Sequence, residues 1–151
     1  MRGADAAISA HVLWLGTLSY LVVVEQTGHC VRALGAKARD GQGDRATFRG
    51  AGLEFGDPKL DKQAVNTLYD VRCALAHQFS LYNEKKQFIY ARGSVLIDVQ
   101  PAAAVICIDA VWEYVRHLVN NVRSMHASGG VTLAPKMTAE RLIAMRFTIQ
   151  P

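Results

Sequence analysis

One segment of the chain, residues 61–78, carries apolar side chains at a clear helical period. The apolar face consists of Ala64, Val65, Leu68, Val71, Leu75 and, just beyond the segment, Phe79. The opposite face consists of Asn66, Asp70, Cys73 and His77. A helix with one apolar stripe has to bury it against other elements, so this pattern predicts a helical core around residues 61–78.

Two further segments have the same character. The first, residues 5–26, is predicted to end at Gly28, with a core stripe made of Ile8, Val12, Leu15, Leu18 and Val22. The second, residues 102–126, follows Pro101 and ends before Gly129, with a stripe made of Val105, Ile108, Trp112, Val115, Leu118 or Val119, and Val122. A chain of 151 residues suits one domain, so we predict a single mainly α domain over residues 1–151. Both tryptophans, Trp14 and Trp112, are expected in its core.

The first helical segment raises the question of a membrane anchor. Residues 6–24 are largely apolar and have about the length that spans a bilayer. His11, Thr17 and Ser19 interrupt the run, and Asp5 precedes it. We therefore expect a buried bundle helix and no membrane partner. Three cysteines far apart in the chain indicate no disulfide framework, which favours a cytoplasmic protein.

The regions between the helices differ in composition. Residues 35–58 contain six glycines and predict a basic loop holding at most a short helix. This loop is either simply solvated or a flap on an RNA backbone, and its candidate RNA-binding residues are Lys37, Arg39, Arg45 and Arg49. Residues 79–99 predict a small β region, with strands at 88–90 and 95–99 that form a hairpin or small sheet. A strand at 131–133 and a short helix near Thr138 complete the prediction.

The chemistry-bearing residues lie near the end of the second helix. Cys73 and His77 stand one turn apart, but no second pair at ligand spacing completes a zinc site, so we predict no metal and no cofactor. A cysteine nucleophile and its base usually come from separate elements, so Cys73 is better explained as a packing residue. Arginine binds phosphate and histidine transfers protons near neutral pH, so Arg72 and His77 favour phosphoryl chemistry on RNA.

RNA carries its own nucleophile, the 2′-hydroxyl beside each phosphate. His77 is the candidate base or acid, Arg72 the candidate group that stabilises the charged phosphate, and Asp70 the candidate that orients the imidazole. In an ideal α-helix Arg72 and His77 point about 140° apart, so this chemistry is expected to require a homodimer in which two copies of the helix meet.

The stretch Leu68–Phe79, with Arg72 and His77 separated by four residues, resembles the signature of HEPN domains (higher eukaryotes and prokaryotes nucleotide-binding). The resemblance implies an antiparallel helical bundle that dimerises, here with a small β-hairpin insertion. It also implies a metal-independent endoribonuclease, often a toxin or anti-phage component with an antitoxin partner. Within this resemblance, the family's functional roles are transferred to Arg72 and His77 alone.

Arg72 and His77 can equally well have purely structural roles. His77 can cap the negative end of the helix dipole, and Arg72 can pair with a carboxylate such as Asp70 or Glu113. The alternative function is a non-catalytic HEPN-like module that binds nucleotide, RNA or a protein. A third is an interaction protein that only dimerises.

Overall fold

The computed structural model describes residues 13–36, 43–78, 87–93 and 95–133. Four helices and two small sheets make up this part of the chain, so the mainly helical prediction is confirmed. In chain order the elements are α1 (Leu13–Cys30), β1 (Val31–Ala33), α2 (Asp44–Phe55), α3 (Lys62–Cys73) with a π-helical turn (Ala74–Gln78), β2 (Gln87–Ala91), β3 (Ile97–Val99), β4 (Ala103–Cys107), α4 (Ile108–Ala127) and β5 (Val131–Leu133).

Helix α1 packs against α2 and α4, but not through the predicted face. Its fully buried apolar residues are Tyr20, Leu21 and Val24, whereas Leu15 is 41% exposed. Trp14, expected in the core, is 40% exposed. Residues 13–24 are apolar at most positions, so periodicity could not identify the buried face. Among the described residues, no helix has the length and apolarity needed to cross a membrane.

Helix α2, 12 residues long, occupies half of the segment predicted as a glycine-rich loop. Its glycines allow close helix contacts: a Cβ on Gly52 would lie 2.7 Å from Val65 Cγ1. The Tyr114 hydroxyl also donates a hydrogen bond to the Gly52 carbonyl at 3.0 Å. Similarly, α1 continues through Gly28, where a Cβ would lie 2.2 Å from the Thr47 carbonyl oxygen. Glycine here serves helix packing as well as turns.

Helix α3 forms close to its predicted bounds. The Asp61 side chain caps it by accepting a hydrogen bond from Ala64 N at 2.7 Å. The predicted apolar stripe is confirmed over its described members, all of them buried: Ala64, Val65, Leu68, Val71 and Leu75. Phe79 lies outside the described residues.

The larger sheet has the order β2-β4-β3, with β2 parallel and β3 antiparallel to β4. The prediction that helix three begins at Ala102 is wrong, because residues 103–107 form the central strand and α4 begins at Ile108. Ala104 and Ile106 are fully buried there, and the strand is paired on both sides, which overrides helix propensity. The strands predicted at 88–90 and 95–99 form as β2 and β3 and belong to one small sheet, but they do not pair with each other as a hairpin, because β4 lies between them. Strand β5 forms as predicted and pairs with β1.

The core lies between the four helices and the larger sheet. Its largest fully buried side chains are Tyr20, Tyr114, Phe48, Phe55 and Phe88. Trp112 is half-buried against this cluster. Burial of these aromatic side chains packs α1, α2 and α4 against one another.

Candidate functional site

Charged side chains from three helices meet where α1 ends, α2 begins and α3 ends. We call this group the three-helix charge cluster. Its members are Glu25 and His29 on α1, Asp44 and Arg45 on α2, and Asp70 and Arg72 on α3. The predicted residues Arg72, Asp70 and Arg45 are thus brought to one region of the fold.

Arg72 pairs with Glu25, a partner that the sequence did not indicate. The Arg72 Nη2 donates a hydrogen bond to Glu25 Oε1 at 2.9 Å. The Arg72 Nε lies 2.9 Å from Glu25 Oε2, but these two atoms form no hydrogen bond with each other or with any other described residue. The distance marks an ion pair, and the missing hydrogen bond reflects the poor alignment of the Nε–H. The side chains are only 16% and 7% exposed, so this is a largely buried ion pair.

Asp70, predicted to orient His77, is paired with Arg45 instead. Arg45 Nη2 donates to Asp70 Oδ1, and the Arg45 guanidinium lies 5.0 Å from the centre of the Tyr69 ring. The orienting role of Asp70 stays a prediction, and in this structure the described contact of its Oδ1 is with Arg45. Of the other predicted RNA-binding residues, Arg49 lies half-buried on α2, and Lys37 and Arg39 lie outside the described residues.

Tyr69 lies beside the charge cluster on α3. Burial is the main cause that raises its pKa to about 12, and a side-chain hydrogen bond with Cys73 raises it further. Nearby negative charge, including that of Asp44 and Glu25, acts in the same direction. Tyr69 therefore stays protonated at neutral pH.

His77 lies beyond the charge cluster, in the π-helical turn Ala74–Gln78, and is exposed. Within the described part of the chain, its side chain has no hydrogen bond or ion pair. A π-helical turn bonds residues five apart and is wider than an α turn. It therefore reduces the angular separation expected between Arg72 and His77 in an ideal α-helix. The catalytic pair and the dimer stay predictions.

His29 and Asp44 are members of the cluster that the sequence did not single out. His29 Nε2 lies 3.3 Å from Asp44 Oδ1. One donor atom each from Glu25, His29 and Asp44 lies within 4.8 Å of the others. The spacing of Glu25 and His29, four residues apart on a helix, is a signal that could have identified half of this group. Asp44 could not be added without knowing how α2 packs.

The Arg72–Glu25 geometry defines what the site can do chemically. Glu25 contacts the Nε and Nη2 side of the Arg72 guanidinium. The N–H donors on Nη1 therefore remain for an anion. The site thus combines an oriented cation with an exposed imidazole one turn further along the chain. Comparison with family models, curated proteins and solved structures finds no match to this chain.

Proposed function

We propose that this chain is an HEPN-like, metal-independent endoribonuclease that acts as a homodimer, with the Arg72–His77 pair as its catalytic groups. The observation that supports the proposal best is the state of these two side chains. Glu25 holds Arg72 in one orientation with donors to spare, and His77 is exposed in the π-helical turn that follows. A fixed cation and an accessible imidazole are the two groups that RNA cleavage without a metal needs.

In the proposed reaction the RNA 2′-oxygen attacks the adjacent phosphorus, and the bond from phosphorus to the 5′-oxygen breaks. One His77 takes the proton of the 2′-hydroxyl, and a second His77, from the other copy, donates a proton to the leaving 5′-oxygen. The products are a 2′,3′-cyclic phosphate and a 5′-hydroxyl. Arg72 binds the phosphate oxygens while negative charge accumulates on them.

A second candidate function is a non-catalytic HEPN-like module that binds nucleotide, RNA or a protein. It is favoured by the fact that Arg72 and Asp70 both already have ion-pair partners, Glu25 and Arg45. Cys73 also follows Arg72 where active HEPN domains usually carry a polar residue. A neutralised arginine binds anions more weakly than an unpaired one, and binding without cleavage would follow.

The test is cleavage of end-labelled RNA by the purified chain in excess EDTA. We expect products with cyclic-phosphate ends, and a rate that falls about 10²–10⁴-fold in His77→Ala. The matched control is His117→Ala, which removes another exposed histidine, on α4. Because His77 is exposed, its replacement should leave the unfolding temperature unchanged. Sedimentation of the wild-type chain should show a dimer at the concentrations used.

Three outcomes contradict the proposal in different ways. RNA that is bound but not cut supports the second candidate function. Cleavage that disappears in EDTA, or that survives in His77→Ala, excludes the proposed chemistry. Absence of both binding and cleavage across a range of RNAs excludes the endoribonuclease and the RNA-binding form of the second candidate function.

A further inference from the structure

We propose that Glu25, His29 and Asp44 form a binding site for a transition-metal dication of the Zn²⁺ class. These residues link the end of α1 to the beginning of α2. The proposal does not depend on RNA cleavage, since the metal would hold two helices together and take no part in the proposed reaction.

The distances between the donor atoms are close to those of a metal site. His29 Nε2 and Asp44 Oδ1 are 3.3 Å apart, and all three donors lie within 4.8 Å of one another. Zinc binds nitrogen and oxygen at about 2.0–2.2 Å, so ligands around one tetrahedral ion lie roughly 3.4 Å apart. His29 and Asp44 already meet this spacing, and the Glu25 donor atom lies within 4.8 Å of both.

The buried carboxylate of Glu25 is the second observation. Its side chain is 7% exposed, and its Oε2 accepts no hydrogen bond from the described residues. That oxygen lies 2.9 Å from Arg72 Nε in the ion pair, so a metal ion would share the carboxylate with the guanidinium and bind a lone pair that accepts no hydrogen bond. Arg72 would keep its hydrogen bond to Oε1 and so hold the carboxylate in place, as outer partners of metal ligands commonly do.

The donor set selects the class of ion. One imidazole with two carboxylates suits Zn²⁺, Co²⁺ or Mn²⁺, whereas Ca²⁺ and Mg²⁺ prefer oxygen ligands alone. Three protein ligands leave a fourth position for water. The nearby Arg72 guanidinium repels a dication, so the affinity should be moderate, with a Kd of about 1–100 μM.

The experiment is titration of the chelator-treated full chain with Co²⁺ and then Zn²⁺. We expect one ion per chain and a cobalt spectrum without the thiolate-to-metal charge-transfer band that cysteine ligands produce. His29→Ala and Asp44→Asn should each weaken binding at least tenfold. Zn²⁺ at 100 times its Kd should raise the wild-type unfolding temperature by about 5 °C or more.

His117→Ala is the matched control. His117 also lies near two carboxylates, 3.7 Å from Asp57 and 3.9 Å from Glu113, but all three side chains are more than half exposed. Its replacement should leave metal binding unchanged. The proposal is overturned if no binding occurs below about 100 μM, if the cobalt spectrum shows thiolate ligands, or if His117→Ala weakens binding as much as His29→Ala. RNA cleavage and the unfolding temperature are both measured in EDTA, so cleavage lost because the structural ion is removed is distinguished from failure of the proposed chemistry.

Discussion

Replacing Glu25 by glutamine exchanges one oxygen for an amide nitrogen. Among such small substitutions, it should be one of the most destabilising in this chain. Glutamine keeps the shape and an oxygen for Arg72 Nη2, but it removes the negative charge beside a guanidinium that is only 16% exposed. Breaking a buried ion pair from one side costs about 3–5 kcal/mol. Because some of the guanidinium still contacts water, we expect the lower end, about 3 kcal/mol. For a chain of this size that lowers the unfolding temperature by about 6–12 °C.

The matched comparison is Arg45→Gln, which breaks the pair between Arg45 and Asp70. Both pairs join α3 to a neighbouring helix, but the Arg45 and Asp70 side chains are 52% and 29% exposed. Solvent screens such a pair, so its loss should cost no more than about 1 kcal/mol. Added salt should weaken this exposed pair and leave the Glu25–Arg72 pair nearly unchanged.

The assay is urea unfolding of the two single variants, of Arg72→Met, and of the double variant Glu25→Gln with Arg72→Met. The double variant leaves no unpaired charge, so it should lose at least about 2 kcal/mol less than the sum of its single variants. Additive losses, or a Glu25→Gln variant no less stable than Arg45→Gln, would refute the argument that burial makes this pair important.

Three further predictions concern other parts of the fold. Burial raises the pKa of Tyr69 and of Tyr90 from 10.0 to about 12. Their contribution to the free energy of unfolding is therefore complete below pH 10 and is lost as the pH rises through about 12. Alkaline unfolding followed by tyrosinate absorbance should show this loss between pH 10 and about 12. Gly28→Ala should cost about 1–3 kcal/mol in urea unfolding, because its methyl group would overlap the Thr47 backbone. Asp61→Ala should cost about 1 kcal/mol in the same assay, because it removes the side-chain cap of α3.

The tyrosine and Gly28 predictions each have an outcome that would contradict them. Tyrosine ionisation complete near pH 10 in the folded chain would show that the rings are not buried as described. A neutral Gly28→Ala variant would show that α1 and α2 are further apart. Gly43→Ser is the control for both helix predictions: it adds a side chain at the α2 N-cap, where nothing lies within 4 Å of the new Cβ, and should change stability by only a few tenths of a kcal/mol.

Helix α3 could be predicted from the sequence because local signals agree along its length. A cap at Asp61, a single apolar stripe and a polar opposite face all indicate the same helix. The buried face of α1 could not be predicted, because an apolar segment has no polar face to orient it. Helix α2 was obscured by glycines that serve helix contacts, which composition cannot distinguish from turns.

The candidate site was predictable only in part, for a similar reason. The types and spacing of Arg72 and His77 are visible in the sequence, and Arg72 lies in the three-helix charge cluster at the end of α3. The partner of Arg72 lies 47 residues away on another helix, so only tertiary packing reveals Glu25. The π-helical turn that contains His77 also has no signal in the sequence that would separate it from an ordinary α turn.

The pairing of β1 with β5 has a consequence for the order in which the molecule assembles. Arg32 and Thr132, joined by a hydrogen bond of 3.3 Å, are 100 residues apart in sequence. Closing a loop of that length costs about 4 kcal/mol of chain entropy, and two strands of three half-exposed residues offer little in return. We therefore expect the β1–β5 sheet to form late in folding, after the aromatic core, and to separate first in unfolding. Amide hydrogens at its two strands should then exchange with solvent while those of α3 remain protected.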